Sequence, residues 1–161
     1  MKLQPRDGVT TKHSHRLLEI KDSPVHLIRT AHRWITAIFE ANVAYLGLTT
    51  AQFVMLWTID LEPDLEQGEL AALAGFDPAT TGGIISRLEK LKLVKRKKGT
   101  RSRRGWAVRA TSMGHSYMKE VKPHLPHLRK ELFHRLTDAE QEVWMQLTTK
   151  LLGVANSYSD T

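Results

Sequence analysis

Apolar positions recur every three or four residues along most of this chain, and only short stretches alternate. That pattern predicts a mainly α protein with a small β-hairpin. The first long helix is expected from about Val25 to Leu46 and carries two adjacent seams. One runs through Ile28, His32, Ile35, Phe39, Asn42 and Leu46, the other through Leu27, Ala31, Trp34, Ile38, Ala41 and Tyr45. A helix covered over so much of its circumference must meet more than one neighbour, which suits a dimerisation element. Arg29, Arg33 and Glu40 occupy the remaining polar strip.

Later helices announce themselves by their first turns. Thr49 and Gln52 stand at capping-box spacing ahead of Phe53, Val54, Met55, Leu56, Trp57 and Ile59, so a second helix starts there. Glu66 to Ala74 reads as a short third helix with Gly75 at the turn. Asp77 and Pro78 open a fourth, because a carboxylate accepts from the free amides of a first turn and proline has no amide hydrogen to lose. Its apolar side is Ile84, Ile85, Leu88 and Leu91, which leaves Ala79, Thr80, Thr81, Gly83, Ser86 and Arg87 on the other side. Leu93-Val94, a basic run and the segment Trp106 to Ala110 then read as a hairpin with a long tip. Thr111 caps a fifth helix from Ser112 that Pro123 and Pro126 interrupt. Thr137 with Glu140 starts the last helix, which continues through Val143, Trp144, Leu147, Leu151, Leu152 and Val154.

Charge changes the picture at the fourth helix. From Arg87 to Arg104 there are ten Lys or Arg residues against Glu89 alone, a net +9, while the whole chain carries +7. The remainder is therefore slightly acidic. A positive field confined to one helix-plus-hairpin unit is expected of a phosphate-backbone binder, because each neutralised phosphate releases counterions. A solvated basic loop is the bland alternative, and the capped helix beside the run counts against it. The acids Asp60, Glu62, Asp64, Glu66 and Glu69 around Pro63 read as a solvated connection.

With 161 residues the chain can bury one core, and with no cysteine it has neither disulfides nor thiolate chemistry. No apolar run follows Met1 and none approaches a membrane span, so a soluble, cytoplasmic protein is expected. There is no Gly-rich phosphate loop, no cysteine nucleophile and no serine in an elbow-like context, so neither an enzyme nor a cofactor is expected. His13 and His15 lack the carboxylate or thiolate pattern of a metal site and read as polar surface, whereas His124 and His127 with Glu120 near permit one, although no metal is expected.

Residues 24 to 158 resemble the MarR family of winged-helix regulators. The likeness is carried by Leu48-Thr49, Glu69-Leu70-Ala71, Asp77-Pro78, Arg87-Leu88-Glu89, Leu93-Val94 and the segment Arg104 to Thr111, with Phe76 to Gly105 matching the family's helix and wing without a gap. The resemblance implies a winged helix-turn-helix domain plus a helical dimerisation region, in a homodimer that places the fourth helix in the major groove and the wing along the flanking minor groove. The lack of cysteine excludes the family's peroxide-sensing branch. Two departures stand out. Ser102-Arg103-Arg104 lacks the Asp that the family's wing carries two residues before an Arg, which makes this wing more positive. Gly82-Gly83 stands inside the fourth helix where many members carry a polar or basic side chain, at about 1 kcal/mol each in helix propensity.

The expected organisation is an arm over 1–23, a dimerisation region from 24–48 and 111–161, and a DNA-binding domain over 49–110. Ala79, Thr80 and Thr81 are expected at base edges, with Gly83 allowing close approach. Ser86, Arg87, Lys95, Lys97 and Lys98 are expected on phosphates, and Arg101, Arg103 and Arg104 at the wing. An effector pocket is expected from Arg29, His32, Arg33, Asn42, Phe53 and Trp57, which suits a phenolic acid, another small aromatic acid or its acyl thioester; the alternative for His32 and Asn42 is satisfied core polarity. The expected function is repression from a palindromic operator, relieved by that ligand. Rivals are a sequence-indifferent architectural nucleic-acid binder and a winged helix used for protein contact.

Overall fold

A computed structural model of the chain describes residues 20–43, 47–98 and 106–153. Among these the elements are α1 Pro24–Val43, α2 Thr50–Leu61, β1 Leu65–Glu66, α3 Gln67–Ala74, α4 Pro78–Lys90, β2 Val94–Lys98, β3 Trp106–Ala110, α5 Ser112–Val121, a 3-10 turn Lys122–His124, α6 Leu125–Leu132 and α7 Asp138–Leu152. The expected continuation of α1 through residues 44–46, and most of the expected N-terminal arm, lie outside the described residues.

Helix α2 is the centre of the molecule because its apolar residues face several neighbours at once. Phe53, Met55, Leu56 and Ile59 are buried, and α3, α4, α5 and β3 all pack on it. Its start is fixed by a reciprocal cap: Gln52 N donates to Thr49 Oγ1 at 3.3 Å, and Thr49 N donates to Gln52 Oε1 at 3.0 Å. A cap of this kind contributes about 1 kcal/mol. The same device starts α7, where Thr137 N donates to Glu140 Oε2 at 2.8 Å. Aromatic rings extend the core toward α1, with Phe39, Phe53 and Trp57 in succession at centroid distances of 5.0 and 5.5 Å.

The hairpin is part of a three-stranded antiparallel sheet in the order β1-β3-β2. Val94 stands opposite Ala110 across the hairpin, and Leu65 opposite Val108 on its other edge. Strand β1 takes Glu66, so the third helix begins at Gln67, one residue later than the sequence pattern suggests. Glu66 is its N-cap instead, its amide donating to Glu69 at 2.9 Å. Gly75 ends α3 at φ +71, a left-handed conformation that favours glycine, and turns the chain into α4. At the far end of the sheet Thr111 Oγ1 donates to Lys92 O at 2.7 Å and accepts from Gly114 N at 3.1 Å. A Cβ on Gly114 would lie 2.2 Å from Leu93 O, so only glycine lets α5 enter this close to the sheet.

The prolines break the fifth helix as expected, Pro123 falling in the 3-10 turn and Pro126 in the first turn of α6. Helix α1 lies on α6, where Trp34 Nε1 donates to Leu132 O at 3.4 Å. In contrast to the compact winged unit, no residue of α7 is buried. Val25, Leu27, Ile28, Val143, Leu147, Leu151 and Leu152 are all exposed in the single chain.

Candidate nucleic-acid interface

Helix α4 is capped as its sequence demands. Asp77 Oδ1 accepts from Thr80 N at 2.9 Å, and Oδ2 accepts from the Thr80 hydroxyl at 2.5 Å. Those bonds from Thr80 hold the Asp77 carboxyl below the usual carboxylate range. Ile84, Ile85 and Leu88 are buried against the core, while Ala79, Thr80, Gly83 and Arg87 are exposed on the opposite side. Thr80 therefore offers its methyl group and its oxygen lone pairs outward, its hydroxyl proton being engaged at the cap.

Thr81 departs from expectation. Its side chain is 0% exposed and its hydroxyl has no hydrogen-bond partner among the described residues, so it cannot reach a base edge. The reason is geometric: Thr81, Ile85 and Leu88 are spaced by four and three and share the buried seam. The gap left by Gly82 is taken by Gln67, whose Nε2 lies 3.1 Å from where a Cβ would stand. That Nε2 donates to Pro78 O at 3.1 Å and ties α3 to the start of α4. Gly83 faces open space.

The wing stem is fastened to α4 by a residue that sequence reasoning passed over. Arg96 Nη1 lies 2.7 Å from Glu89 Oε2, and its Nη2 donates to Ser86 Oγ at 3.4 Å. Ser86 is half-buried, and in this contact its hydroxyl oxygen is the acceptor. Lys95 and Lys98 are exposed, whereas Lys97 Nζ is held 2.8 Å from Asp64 Oδ1. Asp64 also pairs with Arg109. Hydrogen bonds from Arg109 and then Lys97 keep the Asp64 carboxyl below its ordinary range, and the same pair raises Arg109 above its own. A groove of about 500 Å³ between the start of α3 and the wing is lined by Glu66, Gln67, Gly68, Arg96 and the exposed Trp106. Arg101, Arg103 and Arg104 lie outside the described residues.

The acid-rich connection is not the solvated loop its composition suggests. Besides Asp64 and the Glu66–Glu69 cap, Asp60 stands in the last turn of α2 with a side chain only 8% exposed. His115 Nδ1 stands 2.6 Å from Asp60 Oδ1, and Lys122 Nζ donates to Oδ2 at 2.9 Å. Burial opposes ionisation of Asp60, but the bonds from Lys122 and His115 outweigh it and hold the carboxyl below its usual range. This junction ties the winged unit to α5.

The six expected effector residues are spread between the core and the surface of α1. Phe53 is buried and Trp57 half-buried in the aromatic core, and Asn42 Nδ2 donates to Ile38 O at 2.9 Å within its own helix. For Asn42 the satisfied-polar alternative is what the structure supports. His32 and Arg33 lie along α1 in an open groove of about 550 Å³ with Trp34 and Glu40. His32 also borders a more apolar groove of about 360 Å³ between α1 and α7, lined by Leu27, Ile28, Ile35, Trp144 and Leu151. Arg29 is exposed on the same helix. Among the described residues no three His, Asp or Glu side chains gather as metal ligands would, and no helix is long and apolar enough to cross a membrane.

Residues 48–105, the winged unit just described, match the MarR family model. Over 134 residues the chain is 27% identical to the HTH-type transcriptional repressor NicR of Pseudomonas putida, covering 83% of this chain and 85% of that protein. A structure of Bordetella bronchiseptica BpsR, whose DNA binding is regulated by 6-hydroxynicotinic acid, superposes with a TM-score of 0.72 at 28% identity, covering 78% of this chain and 96% of BpsR. A variant of Escherichia coli MarR complexed with operator DNA shares the fold, with a TM-score of 0.73 at 24% identity over 78% of this chain and 91% of that one.

Proposed function

Because the chain belongs to the MarR family of winged helix-turn-helix transcriptional regulators, we propose that it works as a homodimeric repressor on a palindromic operator, released by a small aromatic ligand. The observation that carries the DNA reading is the exposed Ala79, Thr80, Gly83 and Arg87 face of α4, with exposed Lys98 on the face of β2 that Arg96 ties to that helix. The α4 groups offer short side chains for bases and a cation for phosphates, and Lys98 and Lys95 add exposed charge on the two faces of β2. Two-fold symmetry then requires half-sites about 34 Å apart. The dimer reading rests on the exposed apolar residues of α1 and α7, which are more than an isolated domain leaves to water. The same exposed residues support reading 24–48 and 111–161 as a dimerisation region around a 49–110 DNA-binding domain.

For the ligand, His32 supplies a polar edge to the apolar α1–α7 slot, as an aromatic acid or its thioester requires, and it is shared with the neighbouring groove that Arg33 lines. BpsR, a relative regulated by 6-hydroxynicotinic acid, supports this ligand class. A ligand that fits the groove better in one dimer arrangement favours that arrangement, and release follows when it misspaces the two α4 helices.

The test is a footprint on duplex selected from random sequence, measured against excess competitor DNA, with and without hydroxynicotinic, hydroxybenzoic and related acids. A two-fold protected site that resists competitor and is released by one of these acids is the expected result. Protection lost to competitor at once would favour the sequence-indifferent binder, for which the short side chains on α4 also allow. Resistant protection that no acid relieves would remove the ligand assignment alone.

A further inference from the structure

We propose that Asp64 is the positioning residue of the wing, clamping both strands of the hairpin from outside it and so setting how the wing meets the flanking DNA. The proposal rests on the DNA-binding reading above. Asp64 lies in the turn between α2 and β1, and its amide donates to Val108 O of β3 at 3.1 Å. Its carboxylate then reaches in two directions. Oδ1 lies 2.8 Å from Lys97 Nζ on β2 and accepts from Arg109 Nε on β3 at 3.0 Å, while Oδ2 accepts from Arg109 Nη2. Arg109 stands opposite Lys95, and Lys97 lies two residues farther along the same strand. Such diagonal positions share one face of a sheet, so the two cations would repel each other if nothing stood between them.

The backbone points the same way. Asp64 has φ +68, a conformation that costs most side chains about 1 kcal/mol or more and that aspartate tolerates better than most. Glycine would suit the bend, yet a residue with a carboxylate occupies it and uses that carboxylate on both strands. With Arg96 fastened to Glu89, the hairpin is held on both sides: Arg96 ties β2 to α4, and Asp64 ties β2 and β3 to the turn after α2. The stem through Lys98 and Trp106 thus has a fixed direction. A wing contributes to sequence preference only when its cations arrive at a defined place in the flanking groove.

Charge and position predict opposite signs, which makes the proposal testable. Removing a carboxylate from a basic surface should by electrostatics alone tighten binding to every duplex. Removing a positioning group should weaken binding to the preferred duplex while leaving random duplex unchanged or tighter. The full-length chain, as wild type, Asp64→Asn and Asp64→Gly, is titrated against a duplex selected by the wild type and a scrambled duplex of the same composition. Asn keeps the size of the side chain and accepts the left-handed backbone, and Gly relaxes that backbone, so a loss common to both belongs to the carboxylate. About a tenfold loss of preference is expected, the order of one disturbed base pair. Hydroxyl-radical protection should fade at the flanks and persist over the central major groove. Asp64→Glu should recover part of both. Unchanged preference with intact flank protection in folded Asn and Gly variants overturns the proposal. Failure of the wild type to bind any duplex overturns the DNA reading instead.

Discussion

Thr81 is a polar residue that the fold treats as apolar. Its hydroxyl is buried on α4 with no hydrogen-bond partner among the described residues, and a buried unpaired group costs about 1 to 3 kcal/mol. Replacing it with valine removes the polar atom at nearly constant volume. Thr81→Val should therefore raise the melting midpoint and leave DNA affinity within about twofold, since Thr81 faces away from the groove. A large loss of affinity in the folded variant would return Thr81 to the reading surface. Asp60 behaves oppositely, being buried, ionised and fully partnered by His115 and Lys122. Its folded pKa is depressed, so its stabilisation is present above the ordinary value of 3.8 and is lost as pH falls through the lower folded value. Asp60→Asn should cost about 1 to 2 kcal/mol at neutral pH. Urea melts of both proteins from pH 7 downward should keep their gap to about pH 4 and converge only as pH falls on through the depressed folded value. A gap that stays constant into acid would mean the carboxylate's charge is not what stabilises the junction.

At the scale of elements, α7 is the part whose purpose a single chain leaves unexplained. It is well capped at Thr137, yet Val143, Leu147, Leu151 and Leu152 all face water. Capping and helix propensity alone do not keep such a surface soluble, whereas a second copy would cover it. A chain ended at Leu136 should run as a monomer in sedimentation while the wild type runs as a dimer, and should lose operator binding far beyond twofold. A truncated chain that stays dimeric would move the interface elsewhere. Which elements were legible follows from how local their causes are. Thr49 with Gln52, Asp77 with Pro78 and Thr137 with Glu140 are signals contained within four residues, and each starts a helix where it was expected. Strand β1 has two residues and no period to detect, and it exists only because β3 pairs with it. Asp64 finds Arg109 across 45 residues of sequence, which no local pattern encodes. Thr81 was detectable in principle, since its spacing to Ile85 and Leu88 is that of the buried seam; its polarity concealed it. The effector residues were grouped by seam and by resemblance, and packing divided them between the aromatic core and the α1 surface.

For the molecule as a whole, the arrangement of charge decides what kind of binding is possible. The segment from Arg87 to Arg104 carries net +9 in a chain of +7, so the dimer proposed here presents two concentrated cationic patches on a body that is slightly acidic. Within each patch the cations are not equivalent. Arg96, Lys97 and Arg109 are held by Glu89 and Asp64 and serve to fix the stem, whereas Lys95 and Lys98 are exposed. Counterion release should therefore come from the exposed set. Each phosphate contact adds about 0.9 to the slope of log affinity against log salt, so losing Lys95 and Lys98 from both copies removes up to about 3.6. Replacing them by alanine should flatten the slope and weaken selected and scrambled duplexes alike, leaving their ratio nearly unchanged. Lys97→Ala should do the reverse, with a smaller change in slope and a reduced ratio, because its ammonium is held at Asp64, the carboxylate it shares with Arg109. If the two substitutions instead shifted slope and ratio together, the division between cations that bind and cations that position would not hold, and the wing would have to be treated as a single diffuse charge.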